Sequence, residues 1–323
     1  MNQELIKKIE EMFQSGKITQ EQKELLEKAL EQKNQQDSEN LKITSVIETD
    51  KKELHVKLLN EDVIIQGDSE TTQVCIIEGS DLVEVIKSDN KIIIQSKKEN
   101  IGFIRNLINQ HEIIKQKNGI IIQQRATDDE VVIMMPAFMI SFIKTVSGDI
   151  DLKNVQSEIS LKSVSGDIRL TNHQGSAVLS SISGDLQIRN HQGSVELVSK
   201  SGDIDIEDSE MDGLIKTYSG DITIEDSSVQ DLEMAVFSGD IDVLDTKADG
   251  EIQCKTFSGD VSAKLLAQSA YITGITASGD IIFQDTNQVK YDIANKEFGN
   301  PTESLQIRIK TTSGDGDIQL SKI

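Results

Sequence analysis

Tryptophan is missing from this chain of 323 residues, and aromatic side chains of all kinds make up only 3% of it. A sugar-binding groove built on stacked rings is therefore disfavoured. Cysteine is as scarce: Cys75 and Cys254 stand alone and give neither a disulfide framework nor metal-ligand spacing. Positive charge is short too, with 33 Lys and Arg against 55 Asp and Glu and a net charge of −22. Nucleic acid and bare anionic lipid both need Lys and Arg to meet their phosphates, so neither suits this surface. A cationic partner or a divalent ion suits it better. The longest apolar run, residues 131–143, is about 13 residues long and interrupted by Pro136, too short to cross a bilayer. The start, Met1-Asn2-Gln3-Glu4-Leu5-Ile6-Lys7-Lys8, is too charged for a signal peptide, so the expected address is cytoplasmic.

Catalytic signatures are missing as well. No Gly-rich phosphate loop follows a strand, and there is no nucleophile elbow. The hexad of hexapeptide-repeat acyltransferases is not present, and the acidic residues are spread evenly, not clustered beside a basic one. The chain reads as a non-enzyme that needs no cofactor.

What the second half does have is a period. Ser-Gly-Asp recurs at Ser147, Ser165, Ser183, Ser201, Ser219, Ser238, Ser258, Ser278 and Ser313, first every 18 residues, then 19, 20 and 20, with a last interval of 35. Such a period marks a unit that cannot bury its apolar face alone and must stack on its neighbours. After each Asp comes apolar-polar-apolar, as in Ile150-Asp151-Leu152, Ile168-Arg169-Leu170 and Ile204-Asp205-Ile206, the alternation of a strand with one face inward. A second strand precedes each tripeptide: Ile159 and Leu161 align with Ala177 and Leu179, Val195 and Leu197, Leu232 and Met234, and Ile252 and Cys254. Cys254 is thus expected in the core. The residue just before each Ser gives a further column: Val146, Val164, Ile182, Lys200, Tyr218, Phe237, Phe257 and Ala277. The expected fold is mainly β, a parallel β-solenoid resembling a single-stranded β-helix with coils of 18–20 residues.

The two turns of a coil differ. In Ser-Gly-Asp, Gly permits positive φ and the Ser and Asp side chains can bond the turn backbone. Asp149, Asp167, Asp185, Asp203, Asp221, Asp240, Asp260 and Asp280 are therefore read as a structural turn ladder. A calcium reading of these carboxylates is weaker, because the ion wants six to eight oxygens and one Asp per coil supplies too few. The opposite turn carries Asn154, Asn172, Asn190, Asp208, Asp226, Asp245 and Asp285, broken only by Leu265, and residues of this kind tolerate left-handed backbone. His173 and His191 occupy equivalent turns and are expected to stack there as exposed residues.

Residues 1–31 carry the helical signal. Leu5, Ile6, Ile9, Met12 and Phe13 share one face, Gly16 suits a C-cap, Thr19 and Gln22 form a capping box, and Leu25, Leu26, Ala29 and Leu30 make a second face. A hairpin this small must pack on something, either a second copy or a protein partner. The expected divisions are this interaction module at 1–31, a linker at 32–41, an irregular β region capping the solenoid at 42–146, and the repeat solenoid at 147–323. Within the third, Lys87–Asn90 and Lys117–Gly119 are hairpin turns, and the long last interval closes the opposite end.

The serial Ser-Gly-Asp-Ile-x-Leu units and the lead-in Met135-Pro136 … Ile143-Lys144-Thr145-Val146-Ser147-Gly148-Asp149-Ile150 resemble the bacterial β-strand-repeat, adhesin-type family, a domain of otherwise unknown function. The front hairpin, Gly16-Lys17-Ile18-Thr19 … Glu24-Leu25-Leu26-Glu27, is similar to the short helical module heading its LiaX and YvlB type. The resemblance implies a binding or scaffold role in the cell-envelope stress response of Gram-positive bacteria or in surface adhesion, with an envelope-associated partner. A self-assembling, bactofilin-like solenoid is the alternative, and a carbohydrate-active enzyme a distant third.

Overall fold

The computed structural model describes residues 45–48, 53–88, 90–97 and 130–322. The helical hairpin expected at 1–31, its linker and the turn expected at Lys117–Gly119 lie outside the described residues. Contacts divide the chain into Met1–Thr44 and Ser45–Ile323. The second unit is mainly β, and none of its described residues is helical. No helix among them is long and apolar enough to cross a membrane.

The Ser45–Ile323 unit is a stack of parallel rungs, and in each of the nine repeats two strands are joined at the Ser-Gly-Asp corner. Ile150 pairs with Ile168, Ile168 with Leu186, Leu186 with Ile204, and Ile204 with Ile222, so the repeats superpose rung on rung. The preceding strands stack in the same way, Ile159 on Ala177 and Ala177 on Val195. Period-two alternation sends Ile150, Leu152, Ile168, Leu170, Ile204 and Ile206 inward, all at most 1% exposed. Cys254 joins this core as a free thiol, and burial pushes its pKa up to about 12. A single coil buries too few aliphatic side chains to offset the ordering of its backbone, so the shared interior is what makes the rungs stable.

Spatial order departs from chain order at both ends. The ninth repeat does not follow the eighth along the stack. Gln306–Ser313 pairs in parallel with Ile241–Ser258 on one side and Tyr271–Ser278 on the other. Gly316–Ser321 likewise lies between Val261–Leu266 and Ile281–Gln284. The Ser313 rung is thus inserted between those of Ser258 and Ser278. The other end has the same device: Glu53–Lys57 lies between Lys91–Ser96 and Ile140–Lys144, and Asp62–Asp68 between Glu130–Pro136 and Ile150–Val155.

Both outermost rungs are covered by antiparallel strands. Val83–Lys87 lies on Lys91–Ser96 and Gln73–Glu78 on Glu130–Pro136, with Ser45–Glu48 added outside Gln73–Glu78. At the other end Lys290–Asp292 covers Ile281–Gln284 and Lys296–Phe298 covers Tyr271–Ser278, while Phe283, Tyr291 and Phe298 cluster with ring centroids 4.4–6.0 Å apart. Short covering strands satisfy the open edge that a bare rung would present.

The lengthening repeats are accommodated as bulges. Pairing slips by one residue at Asp231 and again at Gly250, in the turn opposite Ser-Gly-Asp. Leu265 is not a defective corner residue: pairing shifts between Val243 and Thr246, so Leu265 falls opposite Thr246 and is buried. That rung omits the corner position. Left-handed φ holds at Asn154, Asn172, Asn190, Asp208, Asp226 and Asp245 (46–57°), but not at Asp285.

The glycine of Ser-Gly-Asp needs a different account from the one its sequence suggests. Positive φ occurs at Gly220, Gly239, Gly259, Gly279 and Gly314 but not at Gly148, Gly166, Gly184 or Gly202. Common to all nine is close approach: a Cβ on any of them would sit inside contact distance of a carbonyl oxygen on the adjoining rung. We predict that Gly202→Ala destabilises the protein by about 3 kcal/mol in urea unfolding, while exposed Ser201→Ala changes it by less than about 0.5 kcal/mol. Equal effects would refute the close-approach account.

Candidate interaction surface

The Ser-Gly-Asp corner is built from three columns. The Asp column is a hydrogen-bonded ladder. The Oδ1 of Asp149 accepts the backbone N–H of Asp167 at 2.9 Å, Asp167 that of Asp185 at 3.0 Å, and Asp185 that of Asp203 at 2.9 Å. The series continues through Asp203 to Asp221, Asp240 and Asp260 at 2.7–2.9 Å. From Asp260 it passes to Asp315 and only then to Asp280. All eight residues singled out in the sequence lie on it, joined by two that were not: Asp315, through the inserted rung, and Asp62, which accepts from the Asp149 N–H at 2.8 Å.

A hydroxyl column lies beneath the turn, two residues before each Ser. Ser163, Ser181 and Ser199 accept the N–H of Gly166, Gly184 and Gly202 at 2.8–2.9 Å, and Thr145 donates to the Gly148 carbonyl at 2.7 Å. The signal was in the sequence: Thr145, Ser163, Ser181, Ser199, Thr217, Thr256, Thr276 and Thr311 recur at the repeat period, with Val236 the exception. It sat between apolar columns and so did not look like chemistry.

His173 and His191 are not exposed turn residues. Each is 2% exposed, and their rings stack with centroids 5.0 Å apart. They occupy the inward column that Val155 opens and Ser209, Ser227 and Thr246 continue. The reason is the left-handed corner: Asn172 and Asn190 turn the chain, so the following residue points inward. The two Nδ1 atoms are 2.9 Å apart, while His173 Nε2 faces the Ser157 carbonyl at 2.9 Å and His191 Nε2 the Gly193 carbonyl at 3.1 Å. Carbonyls only accept, so filling all three contacts takes three protons, one more than two neutral imidazoles carry. Burial decides against the extra proton and pushes the His173 pKa down to about 4 and that of His191 below its ordinary value.

Outside the Ile-x-Leu strands runs a groove of about 600 Å³ lined by Arg169, Gln187, Arg189, Asp205, Glu207 and Glu225. Arg169 is bonded to Asp149 at 3.3 Å and Asp167 at 3.0 Å, and Arg189 is ion-paired with Glu207. Desolvation, then the neighbouring Asp203 and Asp185, holds the Asp205 carboxyl above the usual carboxylate range. Among the described residues no three His, Cys, Asp or Glu side chains gather where a metal ion could be held.

The column before each Ser faces solvent. Val146, Val164, Ile182, Tyr218, Phe237 and Phe257 are 41–56% exposed, and the three rings stack in parallel at centroid spacings of 4.6 and 4.8 Å.

These features define a class: a stacked parallel-β repeat protein whose corner residues recur because each bonds its own counterpart on the next rung. The chain belongs to the Toastrack DUF4097 family, whose model matches residues 17–319. No curated protein matches it. It is similar to a solved structure described as a "putative cell adhesion protein from Clostridium sporogenes ATCC 15579", at 12% identity, covering 85% of this chain and 98% of that one with a TM-score of 0.21.

Removing one ladder acceptor should cost about 1 kcal/mol. We predict that loss in urea unfolding for Asp203→Ala and near-neutrality for Asp203→Asn, which keeps an acceptor for the Asp221 N–H. Millimolar calcium should leave the melting temperature of the wild type unmoved, and a rise would mean that the ladder holds ions. The histidine pair predicts a pH effect. The folded pKa of His173 lies near 4 against an ordinary 6.5, so the unfolded chain binds more protons between those values. Its contribution is complete above about pH 6.5 and is lost as pH falls towards 4, by up to about 3 kcal/mol. The double substitution His173→Ser, His191→Ser extends the serines that Ser209 and Ser227 already place in this column. It should flatten the fall in melting temperature between pH 7 and 4.5. An unchanged slope would rule out the pair as its source.

Proposed function

We propose that the protein is a non-enzymatic binding or scaffold protein of the bacterial cell envelope, acting in stress response or surface adhesion. One observation carries this reading: the aspartates that recur along the stack are spent on its own main chain. Asp carboxylates hold the next rung's N–H groups, and the buried hydroxyls of Ser163, Ser181 and Ser199 hold their corner glycines. The outer surface, by contrast, offers repeated rows suited to recognition, among them the mixed-charge groove at Arg169, Arg189 and Glu207.

In this reading Asp149, Asp167, Asp185, Asp203, Asp221, Asp240, Asp260 and Asp280 are a structural turn ladder and not a metal site. Residues 1–31 meet a protein partner or a second copy, and residues 32–41 link them to the stack. Residues 42–146 cap one end of the 147–323 solenoid. The envelope assignment draws on the resemblance of the repeats to the LiaX and YvlB type. End-to-end assembly of the bactofilin kind is less well supported, because short antiparallel strands cover both outermost rungs.

Fractionation of producing cells tests the proposal. We predict recovery with membrane and surface fractions and no product released from cell-wall glycan. Recovery from the cytosol alone, or glycan turnover, would overturn it.

A further inference from the structure

The exposed ridge has oppositely charged neighbours on its two sides. Two residues before each ridge position runs an outward row in continuous register: Lys57, Lys144, Lys162, Ser180, Val198, Lys216, Ala235, Lys255, Lys310 and Ile275. Three residues after each ridge position runs the Asp ladder. Across the corner the order is therefore a row with lysine at six of its ten positions, then the apolar ridge, then the aspartate row. The lysines stand out in a unit so short of positive charge. Lys57, Lys144, Lys162, Lys216 and Lys310 are exposed, while Lys255 is half-buried and paired with Glu233 at 3.0 Å.

We propose that this corner is a self-association surface, on which two copies lie side by side and parallel about a two-fold axis running along the stack. The charge pattern selects that arrangement. A parallel two-fold sets each copy's lysine row opposite the other's aspartate row, with ridge against ridge between them. An antiparallel two-fold would set aspartate against aspartate and lysine against lysine.

The spacing selects the same partner. Ridge residues repeat at about 4.8 Å, one per rung. A helix repeats along one face at about 5.4 Å per turn, and an extended strand at about 6.6–6.8 Å, so either drifts out of register over six or seven rungs. A second stack of the same rungs does not drift. Lys200 interrupts the ridge, and its long stem lets the ammonium reach the other copy's aspartate row while its methylenes stay in the seam. The ridge side chains supply roughly 500 Å² per copy against about 800 Å² in a standard interface, with the flanking charged rows making up the rest. The dimer is accordingly a concentration-dependent one. It goes beyond the envelope scaffold reading and does not need it.

Sedimentation of the full chain tests the proposal. A monomer–dimer equilibrium is expected that weakens several-fold between about 50 and 500 mM salt, as charged rows in partial contact with solvent require. Phe237→Ser and Tyr218→Ser should each raise the dissociation constant at least tenfold without lowering the melting temperature. Val164→Cys should cross-link to itself on oxidation, because equal heights face each other only in the parallel arrangement, while the native Cys75 and Cys254 are buried. A monomer at all concentrations overturns the inference. So does a dimer indifferent to Phe237→Ser, which would place association elsewhere, such as residues 1–31, and leave the scaffold reading standing. Failure of Val164→Cys to cross-link within a dimer that Phe237→Ser disrupts would overturn the parallel orientation.

Discussion

A corner glycine's main chain resting on a carbonyl of the adjoining rung, Glu61's at Gly148 and a glycine's at the other eight, is the contact on which the stack depends. Any side chain there would force neighbouring rungs apart at the corner, and a corner held open breaks the strand pairing on both sides of it. The flanking residues follow from that approach. Once two corners touch, a carboxylate after the glycine is placed to accept the next rung's N–H, and a hydroxyl beneath it can bond the glycine itself. Ser-Gly-Asp recurs along the stack because each copy is the receptor for its neighbour.

Interleaving at the two ends turns a linear array into a closed one. Between Leu266 and Tyr271 the chain rises two rungs with four residues, an easy span at about 3.3 Å per residue. The vacant level is filled only by Gln306–Ser321. The outermost rung is consequently held by a later segment as well as by its own connection, and it cannot fray without disturbing its neighbour. In ordinary solenoids stability is nearly a sum over adjacent repeats. Here the last three rungs form a unit whose completion waits for long-range pairing, a slow kind of contact to make.

The fold was legible because period and alternation coincide: Ile150, Ile168 and Ile204 share a face in the sequence and in space. The hairpin at Lys87–Asn90 was legible for the same reason, with Val83–Lys87 and Lys91–Ser96 paired across it. Less legible was anything decided between rungs. No local pattern says that Ser313 belongs before Ser278, since insertion preserves each rung's own sequence. The burial of His173 and His191 was hidden because Asn-His-Gln-Gly looks like solvent chemistry, whereas the left-handed asparagine rotates the next side chain inward. Leu265 misled in the opposite direction, its rung having lost the corner residue with which it was aligned. The column before each Ser was visible as a column, but its solvent exposure was not, because Val, Ile, Tyr and Phe lie outward only once the strand ends and the corner turns them.

The same corner explains how so acidic a stack tolerates a column of carboxylates. Neighbouring charges about 4.8 Å apart repel by roughly 1 kcal/mol in water, whereas a hydrogen bond to a charged acceptor contributes about 1.5–3 kcal/mol. Each step of the ladder is therefore favourable at its own rung, and the repulsion that accumulates along the column is spread through solvent and screened within about 8 Å at physiological salt. Where carboxylates stand away from the corner, without a backbone N–H to accept, repulsion is less well offset: Asp205 and Asp242, raised first by desolvation and then by adjacent ladder residues, hold their protons more tightly than usual, Asp242 despite a hydrogen bond from Ser262. The excess negative charge of the outer strands is thus an unspent potential beside the lysine row, and it gives a cationic surface, including one on another copy of the chain, a reason to settle along the stack.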